Sequence, residues 1–122
     1  MKEKIKFEEG KIGNISYNAI VEGFNQKGNF VRTYRNYLED RKKYFELARE
    51  WYVLDDKGRK SKCIFYENMG EDGFVPKMKF EWEYSGDEVT EIVYENRPFI
   101  TDFGYRDSWV EIKRDTYALE NR

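Results

Sequence analysis

The sequence predicts an α+β fold in which one long amphipathic helix packs on an antiparallel β-meander of about five strands. Two patterns lead to this prediction. Aromatic residues recur every seven positions between residues 30 and 51, as they do on one face of a helix, and apolar and charged residues alternate over residues 77–84, as they do in a strand with one buried face. A chain of 122 residues has the usual size of one domain, so we expect a single domain over residues 1–122.

Two short strands are expected at the start of the chain, over residues 4–7 and 15–21, where hydrophobic and polar residues alternate weakly. Gly10, Gly13 and Asn14 lie between them and are typical of turns. The stretch 23–29 is rich in glycine, asparagine and other polar residues, and it predicts a loop.

The helix is predicted over residues 30–50. Two series of apolar residues repeat there at intervals of seven, one residue apart: Phe30, Tyr37, Tyr44 and Trp51, and Val31, Leu38, Phe45 and Tyr52. Charged residues occupy the opposite positions of the helical repeat, and Asn29 is a candidate N-cap. We therefore expect the aromatic stripe to face the core.

A hairpin and two further strands are expected after the helix. Residues 51–54 and 62–66 flank a turn-forming segment and predict the hairpin. In the strand that follows, one face carries Met78, Phe80, Trp82 and Tyr84, and the other carries Lys77, Lys79, Glu81 and Glu83. Residues 89–94 predict the next strand. Residues 105–117 fit a short second helix and a strand equally well.

The composition excludes several classes of protein. The chain has no histidine and one cysteine, Cys63, so it lacks the Ser-His and Cys-His pairs of many hydrolases and the imidazole ligands of many metal sites. Its 22 basic and 24 acidic residues leave a net charge of −2, which excludes a polybasic nucleic-acid arm. No apolar run reaches the roughly 18 residues of a membrane helix, and no signal-peptide pattern is present. We expect a soluble, cytoplasmic protein without a cofactor.

Aromatic residues make up 18% of the chain, and tyrosine and tryptophan are enriched at protein interfaces. An acidic loop and the charged faces of the predicted strands supply carboxylates that would meet a basic partner surface. The predicted partner-binding residues are Glu67, Met69, Glu71, Asp72, Glu81, Glu83 and Glu91.

One pair of segments, Thr101-Asp102-Phe103 and Val110-Glu111-Ile112-Lys113, resembles the active-site hairpin of the PD-(D/E)xK nucleases. The resemblance implies that Asp102 and Glu111 bind Mg²⁺ or Mn²⁺ and that Lys113 orients the attacking water. This chemistry requires Glu111 and Lys113 on one face of a strand, which a spacing of two provides.

A second pair of segments, residues 79–84 and 105–113, resembles small bacterial immunity proteins, including the YezG-like antitoxins that block nuclease toxins. The shared features are an aromatic, acidic strand and a tail in which Tyr105, Arg106 and Trp109 precede Lys113. The resemblance implies inhibition by tight binding, and it brings no catalytic residues.

The favoured prediction is therefore a non-catalytic protein that inhibits a partner protein, such as a toxin nuclease, by stoichiometric binding, as a bacterial or phage immunity protein or antitoxin does. A metal-dependent nuclease built on Asp102, Glu111 and Lys113 is the first alternative. A small-ligand-binding α+β domain, with a pocket between helix and sheet, is the second. The sequence leaves the oligomeric state open.

Overall fold

A computed structural model describes residues 3–38 and 43–119 of the chain. They form an antiparallel eight-stranded sheet in the order β1-β2-β3-β4-β5-β6-β7-β10 and a separate hairpin, β8-β9. The strands are β1 (Lys4–Ile12), β2 (Ile15–Phe24), β3 (Phe30–Leu38), β4 (Lys43–Leu54), β5 (Lys60–Asn68), β6 (Phe74–Ser85), β7 (Glu88–Asn96), β8 (Phe99–Thr101), β9 (Gly104–Arg106) and β10 (Trp109–Ala118). A 3-10 turn, Gly70–Asp72, lies between β5 and β6.

The predicted helix over residues 30–50 is wrong, and the α+β class is wrong with it. Outside residues 39–42, which are not among the described residues, this segment forms β3 and β4. The two strands pair so that Tyr37 lies opposite Tyr44 and Phe30 lies opposite Tyr52. The seven-residue spacing thus comes from aromatic residues placed symmetrically on two paired strands, and aromatic residues also favour strands.

The remaining strand predictions fall within observed strands, but about five strands was too few. Residues 78–84 lie in β6 with the predicted alternation of faces, because Met78, Phe80, Trp82 and Tyr84 pair in one unbroken register with β7. The open choice for residues 105–117 is resolved for most of that segment as β10, so no short C-terminal helix forms there. Within the described residues, no helix is long and apolar enough to cross a membrane.

One face of the sheet, here called the aromatic face, carries a row of paired residues that runs across β3–β7: Phe30, Tyr52, Cys63, Phe80 and Val93. Trp82 stacks beside this row on Tyr52 and Phe80, with ring centroids 6.4 and 6.1 Å apart. Large side chains that lie flat across neighbouring strands cover the backbone beneath them. The opposite face, here called the reverse face, carries the row Val31, Trp51, Ile64, Lys79 and Tyr94.

The sheet curls toward its aromatic face. Ile12 and Ile15, at the β1–β2 connection, pack against the buried cluster of Ile20, Tyr34 and Ala48, and so does Phe65 of β5. Residues of the β1–β2 connection and of β5–β6 line the same cavity, with a volume of about 410 Å³. Elements three strands apart share a cavity only when the sheet between them is bent.

Candidate binding surfaces

The β8–β9 hairpin is a small arm, residues 99–106, here called the aromatic arm. It exposes four large apolar side chains: Phe99 at 53%, Ile100 at 72%, Phe103 at 89% and Tyr105 at 77% of their full accessibility. Single exposed apolar residues are common on protein surfaces, but four of them on one hairpin of residues 99–106 are typical of an interaction site.

Local hydrogen bonds fix the tip of the aromatic arm. The Thr101 hydroxyl donates to the carbonyl oxygen of Gly104 at 2.8 Å and accepts from the Phe103 N–H at 3.2 Å. Gly104 has a φ of +106°, a conformation that side chains with a Cβ rarely adopt. These bonds fix the main chain at the tip, from which the Phe103 side chain projects into solvent.

Asn96, which is buried, anchors the base of the aromatic arm. Its Nδ2 donates to the carbonyl oxygen of Pro76 at 2.9 Å and to Asp107 Oδ1 at 3.0 Å, while its Oδ1 accepts from the Ser108 N–H at 3.0 Å. The Arg97 N–H also donates to the carbonyl oxygen of Ser108 at 2.7 Å. These bonds connect the arm to the main sheet through β6 and the ends of β7 and β10.

The whole chain exposes more surface than its mass predicts. Its accessible surface is 9167 Å², whereas a compact monomer of this mass exposes about 7,000 Å². The described residues form a sheet without a second layer, so parts of both faces and the aromatic arm remain accessible, although Cys63 and Ile92 are buried.

A charged network lies on the aromatic face among these rings. Arg32 contacts Glu22 at 3.0 Å and Glu50 at 3.4 Å, and the hydroxyls of Tyr34 and Tyr52 donate to the Glu50 carboxylate. Burial, and then the hydrogen bond to Glu50, raise the pKa of Tyr34 above its ordinary value. The carboxylates are used to pair charges and hydroxyls within the sheet, which gives this network a structural role.

The predicted partner-binding residues do not form one surface. Glu67 and Glu91 lie on the aromatic face, Glu81 and Glu83 lie on the reverse face, and Met69, Glu71 and Asp72 lie in the β5–β6 connection. Glu91 also accepts a hydrogen bond from the Trp82 indole at 2.8 Å. The Glu91 carboxylate is therefore already the hydrogen-bond acceptor of a buried ring within this chain.

The structure does not bring the three nuclease-like residues together. Asp102 lies at the tip of the aromatic arm, between β8 and β9. Glu111 and Lys113 are in β10, but a register shift between them places Glu111 opposite Tyr94 on the reverse face and Lys113 opposite Val93 on the aromatic face.

The charged groups of β10 pair within the strand. The Glu111 carboxylate accepts from Arg114 at 2.7 Å, which lowers the pKa of Glu111, and Lys113 contacts Asp115 at 3.3 Å. Residues 3–38 and 43–119 contain no group of three or more histidine, cysteine or carboxylate side chains placed to hold a metal ion.

Sequence analysis missed the aromatic arm, although one signal was available. Pro98 and Gly104 bracket the segment Phe99-Ile100-Thr101-Asp102-Phe103, in which apolar and polar residues do not alternate one by one as they do in β6. A half-buried strand alternates, and this segment does not, so it fits neither face of the sheet.

No protein-family model and no curated protein matches the sequence. The fold is similar to that of a solved structure, a DUF3836 family protein from Bacteroides vulgatus ATCC 8482, with a TM-score of 0.51. The match covers 94% of this chain and 97% of that chain at 6% sequence identity. A likeness at this identity concerns the fold alone.

Proposed function

We propose that the chain is a non-catalytic protein that binds a partner protein at one-to-one stoichiometry and inhibits it, as immunity proteins and antitoxins do. The observation that supports this proposal is the exposure of Phe99, Ile100, Phe103 and Tyr105 on one arm. In solvent these side chains add little to the stability of the chain, whereas buried aromatic anchors contribute much of the binding energy of interfaces.

The arm is suited to tight binding because it is ordered before it meets a partner. Asn96 holds its base and Thr101 holds its tip. Rigid anchors lose less conformational entropy on binding than flexible ones, so more of the contact energy appears as affinity.

The arm also defines the chemistry of the partner. It carries one acidic side chain, Asp102, and one basic side chain, Arg106, so its charge is balanced. The complementary site is an apolar cleft on a protein surface, rather than the basic surface that the acidic residues of the sequence suggested.

The test is co-expression of the chain with the product of the neighbouring reading frame, followed by light scattering on the eluted complex. We expect a one-to-one complex, and we expect Phe103→Ser or Tyr105→Ser to weaken it at least about tenfold. If the product is an enzyme, its activity should fall to zero at one equivalent of the chain.

Phe45→Ser is the matched control, because Phe45 is 55% exposed but lies in β4, outside the arm. Equal affinity of the arm variants and the wild type would contradict the proposal. Dimerisation of the isolated chain that is lost in Phe103→Ser would identify a second copy as the occupant and would also contradict it.

A further inference from the structure

The reverse face contains a groove beside β2, β3 and β4 that the proposed function does not use. Its volume is about 460 Å³, and Val21, Val31 and Trp51 form apolar parts of its lining. Gly23 lies in the same row as Val31 and Trp51 and has no side chain, so this row begins with a gap. The volume lies within the range of about 300–1,000 Å³ for small-molecule sites.

Two arginines share one carboxylate at one end of the groove. Arg35 Nη2 lies 3.3 Å from Glu46 Oε1, and Arg49 Nη2 lies 2.6 Å from Glu46 Oε2. Each guanidinium has five N–H donors, so a single carboxylate satisfies only part of them. The buried Nε of Arg35 has no hydrogen-bond partner among the described residues.

Aromatic rings hold both guanidinium groups in place. Arg35 lies over the Tyr44 ring at 4.1 Å from its centroid, and Arg49 lies over the Phe74 ring at 4.2 Å. Stacked guanidinium groups are restrained in orientation, and both of these arginines line the groove.

The charge at this end favours a monoanion. Arg35, Arg49 and Glu46 together leave one positive charge. Glu3 lines the opposite end, near Gly23, and Gly23 lies four positions along β2 from Ala19, which pairs with Arg35. This separation is about 13 Å along the strand, so Glu3 does not neutralise the arginine end.

From this juxtaposition of two stacked arginines with an apolar wall that includes Trp51, we infer that the groove binds a small organic carboxylate. The carboxylate lies against Arg35 and Arg49, where planar N–H pairs match its two oxygens. The apolar body of the ligand lies along Val31 and Trp51. This site is separate from the aromatic arm, so it does not depend on the proposed partner binding.

The test is titration of the full chain with 2-naphthoate, followed by the NMR signals of the Trp51 indole and the arginine side chains. We expect saturable one-to-one binding. The neutral isostere 2-naphthamide should bind at least about tenfold more weakly, since it loses the charge-assisted hydrogen bonds.

Arg49→Met should weaken 2-naphthoate binding at least about tenfold. Arg114→Met is the matched control, because Arg114 also pairs with a glutamate on the reverse face but lies in β10. Thermal unfolding of both variants checks that they fold. Equal binding of the acid and the amide, an equal effect of the two variants or no saturable shift at millimolar ligand would overturn the inference. Tighter binding of an acetylated, amidated Ala-Asp-Ala peptide would assign the groove to a protein segment and would overturn it too.

Discussion

The side chain of Asn18 forms hydrogen bonds with both main-chain groups of Tyr37. Its Nδ2 donates to the Tyr37 carbonyl oxygen at 2.9 Å, and its Oδ1 accepts from the Tyr37 N–H at 2.6 Å. The main-chain pairing of β2 with β3 ends at Ala19 and Arg35, so this amide takes the place of a peptide group at the next position. The Asn18 side chain thus continues the hydrogen bonding between the two strands where β2 diverges from β3.

Asn18→Ala removes both hydrogen bonds and leaves part-buried main-chain groups of Tyr37 without partners. We expect a loss of about 1–3 kcal/mol in the free energy of unfolding, measured by urea denaturation. Amide hydrogen exchange at Tyr37 should accelerate. Asn18→Asp keeps the acceptor, so the Tyr37 N–H should stay protected in that variant. An unchanged exchange rate at Tyr37 in Asn18→Ala would show that the side chain does not hold β3.

Glu50 contacts Tyr34, Tyr52 and Arg32 on the aromatic face. We therefore expect substitutions of Glu50 and of these partners to have non-additive effects on the free energy of unfolding. Tyr34→Phe and Glu50→Gln are each expected to lower the free energy of unfolding by about 1–3 kcal/mol. Tyr34→Phe removes the hydrogen bond between these two residues, and Glu50→Gln keeps an acceptor oxygen but removes its charge. Because both act on the same hydrogen bond, the loss in the double variant should be smaller than the sum of the single losses. Glu83→Gln, at an exposed position of the reverse face, is the control. Strict additivity of the two losses would mean that the charge of Glu50 does not strengthen its hydrogen bond with Tyr34.

Alkaline pH should destabilise the fold through Cys63. Burial, and then the nearby Glu50 carboxylate, raise the pKa of the Cys63 thiol from 9.0 to about 12. The folded state therefore holds this proton more tightly than the unfolded state. Its contribution to stability is complete below about pH 9 and is lost as the pH rises toward 12.

Urea midpoints between pH 7 and 11 measure this effect. Cys63→Ala should show a shallower decline above pH 9, by up to about 1.4 kcal/mol for each pH unit. Identical pH profiles for the variant and the wild type would rule out a contribution from the thiol. In the folded protein we also expect Cys63 to react slowly with iodoacetamide at pH 8, because only the thiolate is nucleophilic.

The strands with a plain period of two could be predicted from the sequence, and β6 is the clearest. The boundary between β3 and β4 could not, since paired aromatic residues on two strands produce the same spacing as a helical stripe. One overlooked signal lies in the flanking turns. In both, the side chain of the first residue, Asn25 or Asp55, accepts hydrogen bonds from the N–H groups two and four positions later. In each loop the fourth residue, Gly28 or Gly58, is a glycine with a positive φ. Two matching hairpin turns on either side of residues 30–54 indicate that this segment begins and ends as a strand, which a single helix would not do.

The binding surfaces were harder to predict for a different reason. Glu91 resembles a solvent-facing strand residue in the sequence, yet its carboxylate accepts the Trp82 indole N–H. Phe103 resembles a core residue, yet it is 89% exposed. Both outcomes depend on which side chains lie next to the residue in space, and the residue type alone does not predict those neighbours. Similarly, the Glu111–Lys113 spacing assumed a regular strand, and the register shift between them reversed the face of Lys113.

Pairing between neighbours in sequence has a consequence for how the chain folds. From β1 to β7 every strand pairs with the one that precedes it, so each step closes only a short loop and costs little chain entropy. Such a chain should fold quickly for an all-β protein, and hairpins can add one at a time to any hairpin that forms first. The exception is β10, which joins β7 only after the intervening arm is in place, and it should therefore be the last strand to dock.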